Sequence, residues 1–420
     1  MISPLYIDPG TGSALFTIIV STVAALYFLA GTLWIRLRSL GSKSIKRAKN
    51  KYIIYGEDKR YFSLFEPILD EFENREIAVI YLTSSEDDPA FSKKYEFVKS
   101  EFIGKGNRAF ARLNYLSADI VLATTPSLDI YQWKRSKSVK HYSHILHTSG
   151  GISRCRHFGF DYYDSILLTG VAETAEVREL ENLRELPQKE MVAVGCAYLD
   201  TYLKKLECIN IEKNGKTCVL VSPSWGKAGL LAVCGEELLD NLCNLDYKII
   251  VRPHPQSKTA DKEILGRLTE KYKNAVDVEW DYNPDNIFSL VKADIMISDF
   301  SGIIADYAFL LDRPVLYMGD SMDLKYYDAY WLKNRPVYLK MLSTIAKKLD
   351  KNDISRIGEI IEETVCDKDM SVLRAKAREM FWVNRGKAGK FTVDFMVNKV
   401  LQMSKPDSSG QLYTEDLAAK

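Results

Sequence analysis

The sequence predicts an α/β protein with two Rossmann-like domains that face a cleft, preceded by one N-terminal transmembrane helix. Three observations lead to this prediction. A long uncharged apolar segment stands near the N-terminus, short apolar runs alternate with amphipathic stretches after it, and the alternation restarts near the middle of the 420 residues. Such alternation is typical of parallel sheets covered by helices, and a chain of this length is expected to form two domains.

The transmembrane helix is predicted at residues 14–35, after a lead-in at residues 1–13. No charged residue occurs between Asp8 and Arg36, and at ~1.5 Å per residue the helix would cross a ~30 Å hydrocarbon layer. The lead-in contains no Lys or Arg, which argues against a cleaved signal peptide. We therefore expect a single-pass helix that is retained in the membrane.

A basic linker at residues 36–50 follows the helix. Its cations continue to the start of the body and are Arg36, Arg38, Lys43, Lys46, Arg47, Lys49 and Lys51. The positive-inside rule places this side of the membrane, and with it the body of the protein, in the cytoplasm and the lead-in outside. The same cations are suited to contact anionic lipid headgroups.

Composition excludes several classes of protein. The formal net charge of +1 argues against a nucleic-acid binder, because such proteins carry a broad excess of Lys and Arg. The seven cysteines include no CxxC pair, which fits a reducing compartment and gives no zinc spacing. We expect neither a metal ion nor a cofactor.

Two series of buried strands are predicted from short apolar runs. The first series lies at residues 52–55, 78–82, 120–123 and 143–146, and the second at 218–221, 249–251, 295–297 and 315–317. A polar segment at residues 204–216 separates them and is the predicted linker. The domains are placed at residues 51–205 and 206–400, with a closing helix at the end of the second and a flexible tail at 401–420.

Ligands in open α/β sheets bind beyond the carboxyl ends of the strands, so the loops that follow strands are the candidate sites. One such loop contains Ser298, Asp299, Ser301 and Gly302 and leads into a predicted helix at 303–311 that carries Asp306. Ser301 is predicted as the N-cap, so the free amides and the helix dipole would attract an anion. An ordinary helix cap is the alternative interpretation.

Two further loops carry histidines. In IIVRPHP the two prolines restrict the loop that presents Arg252 and His254. The guanidinium of Arg252 is suited to bind phosphate with two N–H groups, and His254 can donate a hydrogen bond or carry a proton. In ILHTSGGISRCR, His147 is the candidate general base. Close backbone approach by Gly150 and Gly151 and the charge of Arg154 suit an anionic ligand, although a plain glycine-rich turn remains an alternative. A fourth loop carries Ser222, Ser224 and Trp225.

These motifs give the chain a resemblance to the CDP-glycerol glycerophosphotransferase family of teichoic acid synthesis, primer or polymerase type. The resemblance runs from about residue 141 to 397. Its segments are HTSGGISR from His147, SPSW from Ser222, VRPHP around His254, SDFSGIIADYAFLLDRP from Ser298, and RGKA from Arg385. The family implies a glycosyltransferase-B-like fold with an acceptor domain followed by a donor-nucleotide domain.

The resemblance also implies a reaction and roles. An alcohol phosphate would pass from a CDP-activated donor, CDP-glycerol or CDP-ribitol, to a hydroxyl of a membrane-bound, lipid-linked acceptor, without a metal. His147 and His254 would be catalytic, and donor phosphate contacts would be Arg252, Ser298, Asp299, Ser301 and Gly302. Candidate donor or acceptor contacts are Gly150, Gly151, Arg154, Ser222, Ser224, Trp225 and Asp306.

Two alternative functions stay open at the level of sequence. One is a nucleotide-sugar-dependent glycosyltransferase on the same fold, which would prefer a UDP-sugar. The other is a non-catalytic, membrane-tethered scaffold of polymer assembly. The presence of both His147 and His254 argues against the scaffold.

Overall fold

The computed structural model describes residues 20–23, 26, 50–152, 155–210, 215–319 and 324–404. The chain divides into two units, Met1–Lys49 and Asn50–Lys420, and the elements below belong to the second. The predicted transmembrane helix and basic linker lie almost wholly outside the described residues. Within the predicted helix, only residues 20–23 and 26 are described, and they are helical. Within the described ranges, no helix is both long and apolar enough to cross a membrane.

Seven parallel strands form the first sheet. They are β1 Asn50–Gly56, β2 Val79–Thr83, β3 Val98–Phe102, β4 Ser117–Ala123, β5 Ser138–Ile145, β6 Ser165–Leu168 and β7 Glu190–Ala193. Their spatial order is 3-2-1-4-5-6-7, so the direction of winding reverses between β1 and β4. The loops after these two strands therefore border the crevice where such sheets bind ligands.

Helices cover this sheet on both faces. They are α1 Phe62–Asn74, α2 Asn107–Leu113, α3 Thr174–Leu183 and α4 Ala197–Glu207. On α1 the predicted apolar stripe of Phe62, Phe65, Leu69 and Phe72 is buried in the core, because residues three and four apart share one helix face. A short 3-10 helix, Lys59–Tyr61, links β1 to α1.

Six parallel strands form the second sheet, in the order 10-9-8-11-12-13. They are β8 Thr217–Val221, β9 Tyr247–Val251, β10 Val278–Trp280, β11 Ile295–Ser298, β12 Val315–Tyr317 and β13 Lys347–Lys348. The reversal of winding here lies between β8 and β11, and the loops that follow these two strands border its crevice.

The remaining helices follow these strands. They are α5 Leu230–Cys243, α6 Ser257–Ala260, α7 Lys262–Lys271, α8 Ile287–Lys292, α9 Ile303–Leu311, α10 Val337–Ile345, α11 Ile357–Cys366, α12 Lys368–Phe381 and α13 Ala388–Ser404. Short 3-10 helices occur at Pro89–Ser92, Leu324–Tyr326, Asp328–Trp331 and Lys351–Arg356.

The closing helix α13 returns to the first sheet. Its Val393 and Met396 share one buried core with Phe65 of α1, although the sequence groups this helix with the second domain. Asp200 of α4 anchors the turn before it, since its carboxylate accepts the Gly386 and Ala388 amides at 2.8 Å each. The chain end therefore joins the two halves of the fold.

The predicted α/β class with parallel sheets is confirmed, and all eight predicted strands are present. Five strands in the described part of the chain were missed. β3, β10 and β13 are largely half-buried or exposed and carry polar residues, so they lack an apolar run, whereas β6 and β7 have only four residues each. Two helices overlap predicted connecting segments. Residues 204–207 of the predicted linker belong to α4, and residues 401–404 of the predicted tail belong to α13.

Candidate active site

His147 follows β5 at the carboxyl edge of the first sheet and is half-buried. Its Nδ1 lies 2.9 Å from the hydroxyl Oγ1 of Thr124, the residue directly after β4. The ring of Tyr61, from the 3-10 helix after β1, packs edge-on against the imidazole with 5.1 Å between ring centres. Side chains from the ends of two other strands, β1 and β4, therefore fix the orientation of this imidazole.

The other histidines of β5 have structural roles. His144 is buried against Phe160 and Tyr163, and this burial, reinforced by the charge of His147, lowers its pKa to about 3. His141 shares a hydrogen bond of 2.9 Å with the Ser165 hydroxyl. In the part of the chain that the structure describes, no group of three His, Cys, Asp or Glu residues is arranged to hold a metal ion.

His254 follows β9 between two prolines, as the sequence predicts. Its Nδ1 accepts the Gln256 amide at 3.2 Å, so the neutral ring carries its proton on Nε2. Burial lowers the pKa of His254, and the positive charge of Arg60 lowers it further against the opposing effect of Asp261. The imidazole is therefore a neutral hydrogen-bond donor through Nε2 near pH 7.

Two neighbours of His254 were also predicted. The indole of Trp225 is 45% exposed and lies 6.4 Å from the imidazole between ring centres, so it stands open to a ligand beside this ring. Arg252 is held by the Asp281 carboxylate and by the Asn283 carbonyl, the latter at 2.6 Å. Its observed contacts join β9 to the loop after β10, and phosphate binding by Arg252 stays a prediction.

The buried carboxylate of Asp299 organises the loops after β8 and β11. It accepts the amides of Ser224 at 3.0 Å, Leu230 at 2.9 Å and Ser301 at 3.1 Å. Burial raises its pKa while these amides oppose the rise. We interpret Asp299 as a scaffold, because its carboxylate holds backbone amides of both loops in place.

The start of α9 differs from the prediction in its cap. Gly302 is the N-cap and makes no side-chain cap hydrogen bond, whereas Ser301 was expected in that place. The amides of Gly302 and Ile303 have no acceptor among the described residues, which leaves them available to an anion. The Ser298 hydroxyl donates to the Ser222 carbonyl, so these two residues tie β11 to the loop after β8.

The glycine loop after His147 touches the second half of the molecule. Gly150 has a φ of +70°, and a Cβ there would lie 2.9 Å from the ring of Tyr338 on α10. The Tyr338 hydroxyl lies 2.9 Å from the Phe300 carbonyl and 2.8 Å from that of Ser301. A Cβ on Gly151 would meet Thr148. The loops of His147 and Ser301 therefore share one buried tyrosine.

Two further residues were predicted as donor or acceptor contacts. Arg154 is outside the described residues. Asp306 is buried on α9. Its charge affects Tyr198 of α4, whose pKa is raised by burial first and by Asp306 second.

The sequence prediction missed Tyr61, Thr124 and Arg60. Each follows β1 or β4, so the rule that singled out His147 would have found them once the order of strands was known.

The family model for CDP-glycerol:poly(glycerophosphate) glycerophosphotransferases matches residues 171–395. Among proteins with curated descriptions, none matches the sequence significantly.

Solved structures with a similar fold include the wall teichoic acid polymerase TagF. That match has a TM-score of 0.56 and 15% identity over 92% of this chain and 99% of the other. A putative UDP-N-acetylglucosamine 2-epimerase from Listeria monocytogenes gives 0.57 and 14%, over 85% and 98%. The epimerase from Neisseria meningitidis, bound to UDP-GlcNAc, gives 0.53 and 13%, over 83% and 100%. At these identities the similarity concerns the fold, which is glycosyltransferase-B-like as predicted.

The family match spans more than half of the chain and includes the loops of His254 and Asp299. His147 lies before the matched residues, in the loop after β5 of the first sheet. The protein therefore belongs to the CDP-glycerol:poly(glycerophosphate) glycerophosphotransferase family and is an enzyme of the CDP-glycerol glycerophosphotransferase type.

Proposed function

We propose that the protein transfers glycerol phosphate from CDP-glycerol to a hydroxyl of a membrane-bound, lipid-linked acceptor during synthesis of a teichoic-acid-like polymer or its primer. The observation that carries this proposal is the anion site of the second sheet. There a neutral His254 that donates through Nε2 stands at the end of β9. Two amides that have no acceptor within the described part of the chain start α9 after β11, two strands away.

The second half of the site would hold the donor. The Nε2–H of His254 and the amides of Gly302 and Ile303 are hydrogen-bond donors suited to phosphate oxygens. The exposed indole of Trp225 offers an apolar face for the cytosine ring or the glycerol. These donors stabilise charge that develops on the phosphate oxygens while the bond to CMP breaks.

The first half of the site would activate the acceptor. A base at Nε2 of His147 requires that Nδ1 carry the ring proton and donate it to Thr124, whose oxygen lies 2.9 Å away. The acceptor oxygen attacks the phosphorus that bears the glycerol, its proton moves to Nε2 of His147, and the bond to the CMP oxygen breaks. The products are the extended acceptor and CMP, and the reaction needs no further reactant.

Attachment to the membrane belongs to the same proposal. The apolar residues 14–35 and the basic residues that follow them would hold the enzyme at the inner face, where a lipid-linked acceptor is within reach. A reporter fused after Lys420 is expected to give a cytoplasmic signal. An extracytoplasmic signal would contradict the orientation.

Calorimetric and thermal-shift binding by the full chain tests the donor. We expect CDP-glycerol or CDP-ribitol to bind and UDP-sugars not to bind, with loss of binding in His254→Ala. The matched control is His157→Asn. His157 is a half-exposed histidine of the first half, and its ring bonds the Lys325 carbonyl. Preference for a UDP-sugar would transfer the assignment to sugar transfer, and binding of none would favour a scaffold.

A further inference from the structure

The loop after β1 reaches the site although no motif marks it. Its Tyr61 packs against His147 with 5.1 Å between ring centres. The guanidinium carbon of the adjacent Arg60 lies 5.8 Å from the centre of the Tyr61 ring. Arg60 therefore stands at the carboxyl edge of the first sheet, one side chain away from the candidate base.

Arg60 also acts on the opposite half of the molecule. Its charge is the largest charge effect on His254, which belongs to the second sheet. Charges separated by water are screened within roughly 10 Å, so this effect requires the two groups to be near each other. The contacts of Tyr338 with the loop of His147 and with the Ser301 carbonyl bring the same two strand edges together. Arg60 and His254 are thus placed to approach one ligand from two sides.

The guanidinium of Arg60 is only partly used. Its Nε donates to Asp58 Oδ1 at 2.9 Å, and its two Nη nitrogens have no partner in the described ranges of the chain. The side chain is 71% exposed. Asp58 therefore fixes one edge of the guanidinium and leaves the other edge, a fork of N–H groups that matches phosphate oxygens, open to the cleft.

Nearby cations are engaged elsewhere. Arg252, the cation closest to His254 in sequence, is held by Asp281 and the Asn283 carbonyl. Lys59, the neighbour of Arg60, pairs with Asp87. A diphosphate at His254 brings two negative charges that favour a cation partner, and Arg60 has the free donors to provide it.

We propose that Arg60 binds the diphosphate of the nucleotide donor from the first sheet, opposite His254, so that both halves of the molecule hold the same group. This inference rests on the proposed function and names a donor contact that the family motifs do not include. It gives the first sheet a role in donor binding in addition to activation of the acceptor.

Binding of CDP-glycerol to the full chain, measured by calorimetry, tests the inference. We expect Arg60→Gln to weaken binding about 10- to 100-fold, as for loss of a charge-assisted hydrogen bond, and Arg60→Lys to restore part of the affinity. Lys59→Gln removes the same charge one residue away and is expected to change the affinity less than about twofold. Unfolding temperatures of all three variants control for folding.

Titration of the His254 imidazole by NMR, assigned with His254→Ala, gives a readout that needs no donor. The pKa of His254 should rise in Arg60→Gln, because the cation that lowers it is gone while Asp261 remains. Wild-type affinity in Arg60→Gln, or an unchanged His254 titration, would overturn this inference alone. Failure of the wild-type protein to bind CDP-glycerol would overturn the proposed function and this inference together.

Discussion

The two sheets hold their histidines in different ways. His147 is oriented by side chains, the Thr124 hydroxyl and the Tyr61 ring. His254 is oriented by the backbone, since two prolines flank it and the Gln256 amide bonds its Nδ1. In the same half, Asp299 holds the amides of three residues in its loops. The first half is therefore suited to place a proton acceptor, and the second to preorganise hydrogen-bond donors.

This difference predicts separate failures when each half is altered. Loss of His147 or of a side chain that orients it should slow proton transfer and leave donor binding in place. Loss of the carboxylate that orders the second half should disturb the donor site and the stability of the fold together.

The largest expected effect is on turnover in His147→Gln. Removal of a general base is expected to slow CMP release about 10²- to 10⁴-fold, while the affinity for CDP-glycerol changes little because His147 is not one of the proposed donor contacts. Steady-state CMP release and calorimetric binding measure the two quantities. Equal losses in both would erase the distinction between the halves.

Asp299→Ala should give the largest loss of stability. It leaves three amides without their acceptor in a site where Asp299 is 1% exposed, and we expect the free energy of unfolding to fall by about 3 kcal/mol. Equilibrium urea unfolding measures this.

Asp367→Ala provides the matched control. Asp367 also accepts two amides, those of Asp369 and Met370, but at the exposed start of α12, where loss of a cap costs about 1 kcal/mol. Similar losses in both variants would show that Asp299 is an ordinary cap.

Glu176 of α3 joins the halves, because its carboxylate accepts the Val337 amide at the start of α10. Burial raises its pKa from 4.5 to about 7, against the effects of Val337 and Lys340. The folded state therefore binds more protons than the unfolded state between these values, and stability falls as pH rises through this window.

Glu176→Gln keeps the acceptor oxygen and removes the charge. We expect it to unfold at wild-type denaturant concentrations near pH 4 and to be more stable by roughly 1–3 kcal/mol at pH 8. Urea unfolding at the two pH values tests this. A variant that is less stable than the wild type at pH 8 would show that the carboxylate is ionised and well paired in the fold.

The smallest effect is expected for Thr124→Val, which keeps the shape of the side chain and removes the partner of His147 Nδ1. The loss of one neutral hydrogen bond should lower kcat about fivefold and leave KM for CDP-glycerol unchanged. Kinetics at saturating acceptor measure both. A rise in KM without a change in kcat would place Thr124 in donor binding.

Buried strands and the loops after them could be predicted because apolar runs end at residues with distinctive chemistry. His147, His254, Asp299 and Gly302 were identified in this way. Partly exposed strands such as β3 carry polar residues on their open side and gave no run to detect.

The contacts that these residues make could not be predicted from the sequence. Tyr61 and Thr124 meet His147 only because β1, β4 and β5 are adjacent in the sheet, and strand order is set by packing over long distances. Asp299 was interpreted as a ligand because it follows a strand, whereas its oxygens bond the Ser224, Leu230 and Ser301 amides. The loop of Arg60 contains no glycine or histidine motif that would have marked it.

Transfer of labelled glycerol phosphate from CDP-glycerol to a lipid-linked acceptor by the full-length protein tests the central claim most directly. The two-histidine site predicts transfer with release of CMP by the wild type and by the His157→Asn control, and loss of transfer in both His147→Ala and His254→Ala. Transfer at the wild-type rate by either of these two variants, or turnover of a UDP-sugar in place of CDP-glycerol, would contradict it.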